Sequence, residues 1–241
     1  GMALIARQTA VIFVDGRYTE QVRLQTDPAL FGYEDLVSNP PTAWIEANWK
    51  PGGKLGIDPW LHTIGEVERI SAALEKVGGE LVMLEGNPVD AVRTDRPAPP
   101  LEPVLIHPVE RAGVLARDKL AALAAAVRDA GADACVLTDP SSLAWAFNIR
   151  GSDVPHTPLA LGFAIVSAKG NHQLFMDKRK MTREVEAYLT QLCDIRPPSE
   201  LDDAVAELAQ KGRTVGLDPQ LAAEKLRILA TGNGGRWLSM P

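Results

Sequence analysis

The sequence has few cysteines and no long apolar run, and each scarcity excludes a class of protein. Cys135 and Cys193 are its two cysteines, so we expect no disulfide framework and a reduced, cytoplasmic setting. No apolar run approaches the roughly 18 residues that a transmembrane helix requires. No basic segment followed by a hydrophobic one opens the chain, so we expect no signal peptide.

Positive charge is scarce as well. The chain carries 25 Lys and Arg against 31 Asp and Glu, which gives a net charge of -6 and a pI near 5.3. Phosphate backbones are bound by concentrated Lys and Arg side chains. Because the sequence has no basic stripe with interleaved aromatic residues, we do not expect nucleic acid as a partner.

The common catalytic motifs are missing too. There is no Gly-x-Ser-x-Gly elbow, and the glycine-rich run at Thr231–Gly235 follows a predicted helix instead of opening one, so it is not a phosphate loop. No two histidines are four residues apart, and we predict no metal ligands and no catalytic residue in this chain. The histidines are His62, His107, His156 and His172.

An internal repeat is the strongest feature that is present. IFVDGRYTEQ from Ile12 matches LFMDKRKMTRE from Leu174, and KLGIDPWL from Lys54 matches TVGLDPQL from Thr214. Both matches share an offset of about 160 residues, which indicates a duplicated domain and not a short-period solenoid. Hydrophobic patterns predict alternating helices and strands in both copies, so the fold class is α/β.

The repeat also predicts the domain organisation. The proline-rich stretch DRPAPPLEPVLIHP suits neither a helix nor a central strand. We therefore predict a first domain over 1–94, an extended linker over 95–108 and a second domain over 109–241. The second copy has a helix, a strand and a helix before its hairpin, whereas the first begins at the hairpin. We expect the first domain to be N-terminally truncated by about 50 residues, without one central element of its sheet.

The stretch from Ala144 to Ile165 is the candidate functional segment. It holds Arg150, Asp153 and His156 on a backbone stiffened by two prolines, and rigid polar loops between buried elements are frequent sites of function. The alternative is a structural turn, in which Asp153 and Arg150 are tied to the local backbone.

Other conspicuous residues favour structural roles. Asp15 and Arg17 lie where a strand turns into a helix, which is typical of a capping turn. We expect Trp44, Trp49 and Trp60 to anchor the core of the first domain.

The order of several motifs resembles Xaa-Pro aminopeptidases, and the resemblance covers essentially the whole chain. It is carried by VDGRYTEQV, GIDPWL, DRPAPP, HPVERAG and SLAWAFNIRGSDVPHTPLALGFAIV, with VGLDP last. It implies two domains of the creatinase/prolidase N-terminal type, ribonuclease H-like, with mixed sheets flanked by helices. In that family a C-terminal domain of pita-bread fold does the chemistry, with two Asp, one His and two Glu holding two divalent ions, usually manganese.

The resemblance sets the functional expectations. The chain stops where the catalytic domain should begin, so no metal ligand carries over, and it is either a crystallisation fragment or a truncated gene product. We expect the non-catalytic N-terminal region of an enzyme that removes the residue preceding a proline. It flanks the cleft, supports substrate selection and assembly, and forms a possible homo-oligomer. Arg150, Asp153 and His156 are the predicted cleft-facing residues.

Two rival expectations come from other classes of protein. The chain is alternatively a stand-alone module that binds peptides or another subunit and has no catalytic domain. The weaker rival is an independent small-molecule enzyme of ribonuclease H-like topology, for which the sequence offers no acidic cluster.

Overall fold

The computed structural model of the protein describes residues 1–240. The two copies of the internal repeat correspond to two α/β units. The first unit comprises Gly1–Asp58 and Gly65–Glu85, and the second comprises Pro59–Ile64 and Gly86–Pro241. Pro241, where the predicted second domain ends, lies outside the described residues. The predicted α/β class with mixed sheets and flanking helices is confirmed.

The first unit contains two small sheets. Strands β1 and β2 pair antiparallel, β2 and β3 pair parallel, and β4 and β5 form a separate parallel pair. Helices α2 and α3 cover one apolar face, built around Leu4, Phe13 and Ile45. The elements in chain order are β1 (Met2–Ile5), β2 (Ala10–Val14), α1 (Thr19–Gln25), β3 (Gly32–Asp35), α2 (Pro41–Asn48), β4 (Lys54–Ile57), α3 (Ile64–Lys76) and β5 (Glu80–Met83).

The second unit is richer in regular elements. In chain order they are α4 (Pro88–Val92), β6 (Leu105–Ile106), α5 (Val109–Ala112), α6 (Ala116–Asp129), β7 (Ala134–Leu137), α7 (Pro140–Ala146), β8 (Ile149–Arg150), β9 (Phe163–Ser167), β10 (Gln173–Phe175), α8 (Arg183–Leu189), β11 (Asp194–Arg196), α9 (Leu201–Gln210), β12 (Thr214–Leu217), α10 (Glu224–Thr231) and β13 (Arg236–Ser239).

A six-stranded mixed sheet organises this second unit. Its strand order is β11-β10-β9-β7-β12-β13, with β9 antiparallel to both neighbours and the other pairs parallel. One face packs on a core that contains Leu120, Val127 and Val166. The opposite face packs on a core that contains Val205 and Leu226. Both faces are covered, which explains why its central strands are almost wholly apolar.

The repeat extends to the geometry of individual side chains. In the first copy the Arg17 backbone N and Nε donate to Asp15 Oδ1, and Nη2 donates to Oδ2. In the second copy Arg179 makes the same three contacts with Asp177. These hydrogen bonds lower the pKa of both aspartates to about 2. Each pair therefore closes the turn between a strand and the following helix, as predicted for Asp15 and Arg17.

One local prediction differs from the structure. Trp60 belongs to the second unit, where its ring centroid lies 6.2 Å from that of Phe163; the prediction that it anchors the first unit is wrong. Helix α10 begins at Glu224, after a turn in which Asp218 Oδ1 accepts from Gln220 N. A short 3-10 turn that contains Ser199 precedes α9.

The turn between β9 and β10 buries a histidine. His172 is 6% exposed, its Nδ1 has no hydrogen-bond partner, and its backbone oxygen accepts from Asp194 N. Burial lowers the pKa of His172. The folded protein therefore binds this proton less readily than the unfolded chain does.

We predict that stability falls as the pH drops below about 6.5, the ordinary histidine pKa, since the unfolded chain then takes up a proton that the folded protein resists. Replacing His172 with Phe should flatten the free energy of unfolding measured in urea between pH 7.5 and 5.5. The His172→Phe variant should keep a smaller dependence of unfolding free energy on pH, which comes from His107. The pKa of His107 is also lowered, by partial burial and by Arg150, Arg111 and Lys119. Parallel profiles for parent and variant would contradict the prediction.

Candidate functional site

The candidate segment is tied at its start to the proline-rich connector. Strand β8 pairs antiparallel with β6, with Leu105 opposite Arg150, and His107 N donates to Asn148 O at 2.7 Å. Periodicity could not predict this pairing, because each strand has only two residues. The pairing of β6 with β8 fixes the point at which the chain leaves these strands. We call the next twelve residues, 151–162, the polar loop.

The polar loop folds back on itself. Gly151 N donates to Pro158 O and Asp153 N donates to Leu159 O, both at 3.3 Å. A Cβ on Gly151 would lie 2.7 Å from the Ala160 Cβ. Glycine is therefore required here by the close approach of the two arms.

Asp153 holds the base of this loop from the inside. Its side chain is fully buried and pairs with the ammonium of Lys180, whose side chain is 3% exposed. Asp153 Oδ2 also accepts from Leu161 N at 2.6 Å, and Oδ1 accepts from Glu102 N at 3.3 Å. Lys180 in turn donates to Leu161 O at 2.9 Å. One ion pair thus joins the connector, both arms of the loop and the turn after β10.

Arg150 lies at the carboxyl end of α7. Its Nη1 donates to Ile149 O at 2.8 Å and to Ala144 O at 3.3 Å. A cation is favoured there, because the last carbonyls of a helix carry partial negative charge. The side chain is half-buried, and among residues 1–240 its Nε and Nη2 have no hydrogen-bond partner. Those two donors have the fork geometry that suits a carboxylate or a carbonyl.

His156 occupies the exposed tip. It follows Pro155 in a turn closed by Thr157 N donating to Val154 O at 3.1 Å, and its φ is +60°. Left-handed backbone costs an ordinary L-residue about 1–2 kcal/mol, and glycine or asparagine usually takes such a position. A strained histidine at an exposed tip motivates a functional hypothesis.

A buried lysine supports the segment from below. Lys119 Nζ donates to Asn148 Oδ1 at 2.7 Å and to Trp145 O at 3.0 Å, and it lies 4.7 Å from the Trp145 ring centroid. Burial, followed by repulsion from Arg150, lowers the pKa of Lys119. Arg150, Arg111 and Lys119 also act together on His107. Positive charge therefore concentrates at the β8 end of the polar loop.

The three predicted residues lie in one loop region, but their side chains do not form a single cluster. No hydrogen bond or ion pair of the described residues joins Arg150, Asp153 and His156 to one another. Asp153 points inward, Arg150 lies along α7 and His156 lies at the tip. Sequence reasoning missed Lys180. The repeat did carry a signal, since a lysine stands at 180 where the first copy has Tyr18.

Within residues 1–240 the structure brings together no group of three or more His, Cys, Asp or Glu that could hold a metal ion. These residues therefore do not fit the five-residue donor set that the resemblance implies. No helix of the described part is long and apolar enough to cross a membrane.

Two family models, both described as the creatinase/prolidase N-terminal domain, match residues 1–94 and 95–234. The chain belongs to the creatinase/prolidase N-terminal domain family. The resemblance seen in the motifs is thus confirmed.

Relatives of this creatinase/prolidase-type chain are considerably longer. "Aminopeptidase P2" of Arabidopsis thaliana is 34% identical over 224 residues, which cover 91% of this chain and 31% of the relative. "Probable Xaa-Pro aminopeptidase P" of Aspergillus niger is 33% identical over 225 residues, which cover 91% and 36%. The chain thus spans about a third of the length of the curated relatives it matches.

A solved structure supports the fold. The X-prolyl aminopeptidase of Caenorhabditis elegans, described as a cytosolic enzyme with a di-nuclear active site, matches 99% of this chain and 40% of its own with a TM-score of 0.88. Its sequence is 24% identical, so this likeness bears on the fold alone.

The Asp153–Lys180 pair can be tested by a double-mutant cycle. Asp153→Leu or Lys180→Met alone should lower the free energy of unfolding by about 3–5 kcal/mol, since each leaves a buried charge without its partner. The double variant should recover much of that loss, because an apolar pair leaves no such charge. Urea unfolding measures both effects, and additive losses in the double variant would show that the pair is not coupled.

Proposed function

We propose that the chain is the non-catalytic N-terminal region of a Xaa-Pro aminopeptidase-like metallopeptidase. The observation that carries the proposal is similarity over about nine-tenths of the chain to aminopeptidases roughly three times as long. In this proposal 1–94 and 109–241 are the two N-terminal-type domains and 95–108 is their linker. They flank the active-site cleft, limit the substrates that enter and support assembly, including a homo-oligomer.

The polar loop is the part that we assign to the cleft. Arg150 presents two free donors within a cluster of positive charge, which suits the carboxylate or a carbonyl of a peptide. His156 presents its ring at an exposed tip despite the conformational cost. Asp153 acts as a positioning residue, because its contacts with Lys180 and Leu161 hold the loop that carries the other two.

The parent enzyme, in this proposal, acts in the cytosol on peptides with proline at the second position. Its two divalent metal ions, for which manganese is our candidate, are held by residues outside this chain. In this proposal the cytosolic setting and the two metal ions are carried over from the C. elegans enzyme, which is described as cytosolic with a di-nuclear active site.

The alternative is a stand-alone module that binds peptides or another subunit. The exposure of Trp145 favours this alternative. Its side chain is 51% exposed and borders a surface cavity of about 390 Å³ that Leu123 and Leu137 also line. Exposed aromatic anchors beside cavities are typical of binding surfaces. The reading frame after Pro241 discriminates: a continuing frame with the five metal ligands favours the peptidase, whereas a stop codon favours the module.

Kinetics of the complete enzyme test the loop. Arg150→Ala should lower kcat/KM for a Xaa-Pro peptide about 10- to 100-fold, the value of a lost hydrogen bond to a charged group. His156→Ala and His156→Gly should lose activity alike, while the glycine variant is more stable than the alanine variant by about 1 kcal/mol, because glycine tolerates the left-handed backbone. Arg17→Ala, which removes an exposed arginine from the first unit, is the matched control. Full activity in folded Arg150 and His156 variants would refute the site assignment.

The 241-residue chain by itself should have no Xaa-Pro peptidase activity, even with added manganese. The proposal places every metal ligand outside it. The measurement is hydrolysis of a Xaa-Pro peptide by the purified chain, with a mock purification as control. Turnover that a chelator abolishes and the mock preparation lacks would overturn the non-catalytic assignment.

A further inference from the structure

The chain leaves the central strands β7 and β12 in opposite directions. These two strands are parallel neighbours, so their carboxyl ends meet at one edge of the sheet. From β7 the chain continues to β9 on one side, and from β12 it continues to β13 on the other. Helix α7 packs into the core that contains Leu120, whereas α10 packs into the opposite core with Val205. Such a divergence opens a crevice at the carboxyl ends, which is where α/β sheets bind their ligands.

The second unit has a cavity of about 200 Å³ at this point. Its walls are largely apolar and include Leu123 and Val127 of α6, Leu221 and Met240. It adjoins the cavity beside Trp145, with which it shares Leu123, and no residue of the polar loop lines it. An engineered apolar cavity of about 150 Å³ in another protein holds benzene. The present cavity therefore has room for an apolar group of about that size.

Two carboxylates also line this cavity. Asp139 lies two residues after the end of β7, and Asp218 directly follows β12. Asp139 Oδ2 accepts from Ser142 N at 2.8 Å and from the Ser142 hydroxyl at 3.1 Å. Asp218 Oδ1 accepts from Gln220 N at 2.8 Å. Asp218 Oδ2 accepts no hydrogen bond from residues 1–240, so it is available to a ligand.

The negative charge of these carboxylates is not neutralised by the protein. Within residues 1–240 no Lys, Arg or His forms an ion pair with Asp139 or Asp218, and none lines the cavity. Partial burial raises the pKa of Asp139, but hydrogen bonds from Ser142 and Ser141 outweigh it and hold the pKa below its ordinary value. Asp139 is therefore a carboxylate at neutral pH. An apolar cavity beside unneutralised carboxylates is complementary to a cation with an apolar body.

We propose that the crevice at the carboxyl ends of β7 and β12 binds a small primary amine whose apolar group is about the size of a benzene ring. The apolar group occupies the cavity between Leu123, Val127 and Met240, and the ammonium donates to the carboxylates of Asp218 and Asp139. This site is separate from the polar loop and does not rest on the function proposed above.

An NMR titration of the isotope-labelled chain with phenethylamine tests the class of ligand. The backbone amide resonances of Thr138 and Asp218 should shift as the amine is added. Phenethyl alcohol, which has the same shape and no charge, should bind at least about tenfold more weakly, because it forms no hydrogen bond between charged groups. No shift at about 10 mM amine, the Kd that even a modest free energy per ligand atom gives for a molecule of this size, would overturn the proposal. Equal binding of the alcohol would overturn it too.

Three variants test the position of the site. Asp218→Asn should weaken binding of phenethylamine about tenfold or more, while its amide oxygen still accepts from Gln220 N and keeps the turn. Ala126→Phe, which places a ring at the cavity from α6, should abolish binding. The matched control is Ala121→Phe, since Ala121 is also exposed on α6 but does not line the cavity, and it should bind as the parent chain does. Binding like that of the parent by Asp218→Asn or Ala126→Phe would refute the site.

Discussion

The buried ion pair between Asp153 and Lys180 is the contact on which the candidate site depends. Two full charges out of water are stable only when their remaining hydrogen-bonding groups are also satisfied. Here the amides of Leu161 and Glu102 donate hydrogen bonds to the carboxylate, and Leu161 O accepts one from the ammonium. The pair and its partners come from three stretches of chain, namely the connector, the polar loop and the turn after β10. The pair therefore makes a proline-rich loop a fixed support for Arg150 and His156.

That contact also explains how one loop combines rigidity at its base with strain at its tip. The arms approach so closely that Gly151 tolerates no side chain, and Asp153 closes them from the inside. The energy of these contacts offsets the left-handed backbone of His156, which the isolated turn would not favour. Asp153 is therefore structural in its contacts, as the alternative interpretation of the sequence held, and it still bears on function through what it positions.

Periodic apolar patterns and the repeat predicted most of the fold. The repeated segments contain strands at matching positions, β2 with β10 and β4 with β12, as a duplicated domain predicts. The two-residue pair β6–β8 was beyond such reasoning, since pairing of this kind is decided by tertiary contacts. The same limit applies to Trp60, which lies in the short stretch Pro59–Ile64 that belongs to the second unit and whose ring packs on Phe163. Candidate site residues were found by type and spacing, but the inward direction of Asp153 depends on Lys180, 27 residues away.

The two copies share a turn but differ in the residue that follows its arginine. Both retain the turn in which an aspartate caps its own arginine, because that contact is local and needs no distant partner. They differ one residue later, where Tyr18 is 45% exposed and Lys180 is buried. A lysine is stable there only because the second copy supplies Asp153, and Asp153 is available only because a polar loop connects β8 to β9. The first copy keeps the same turn with Tyr18 in place of the lysine. In the second copy the lysine, the aspartate and the loop are stable together and costly apart.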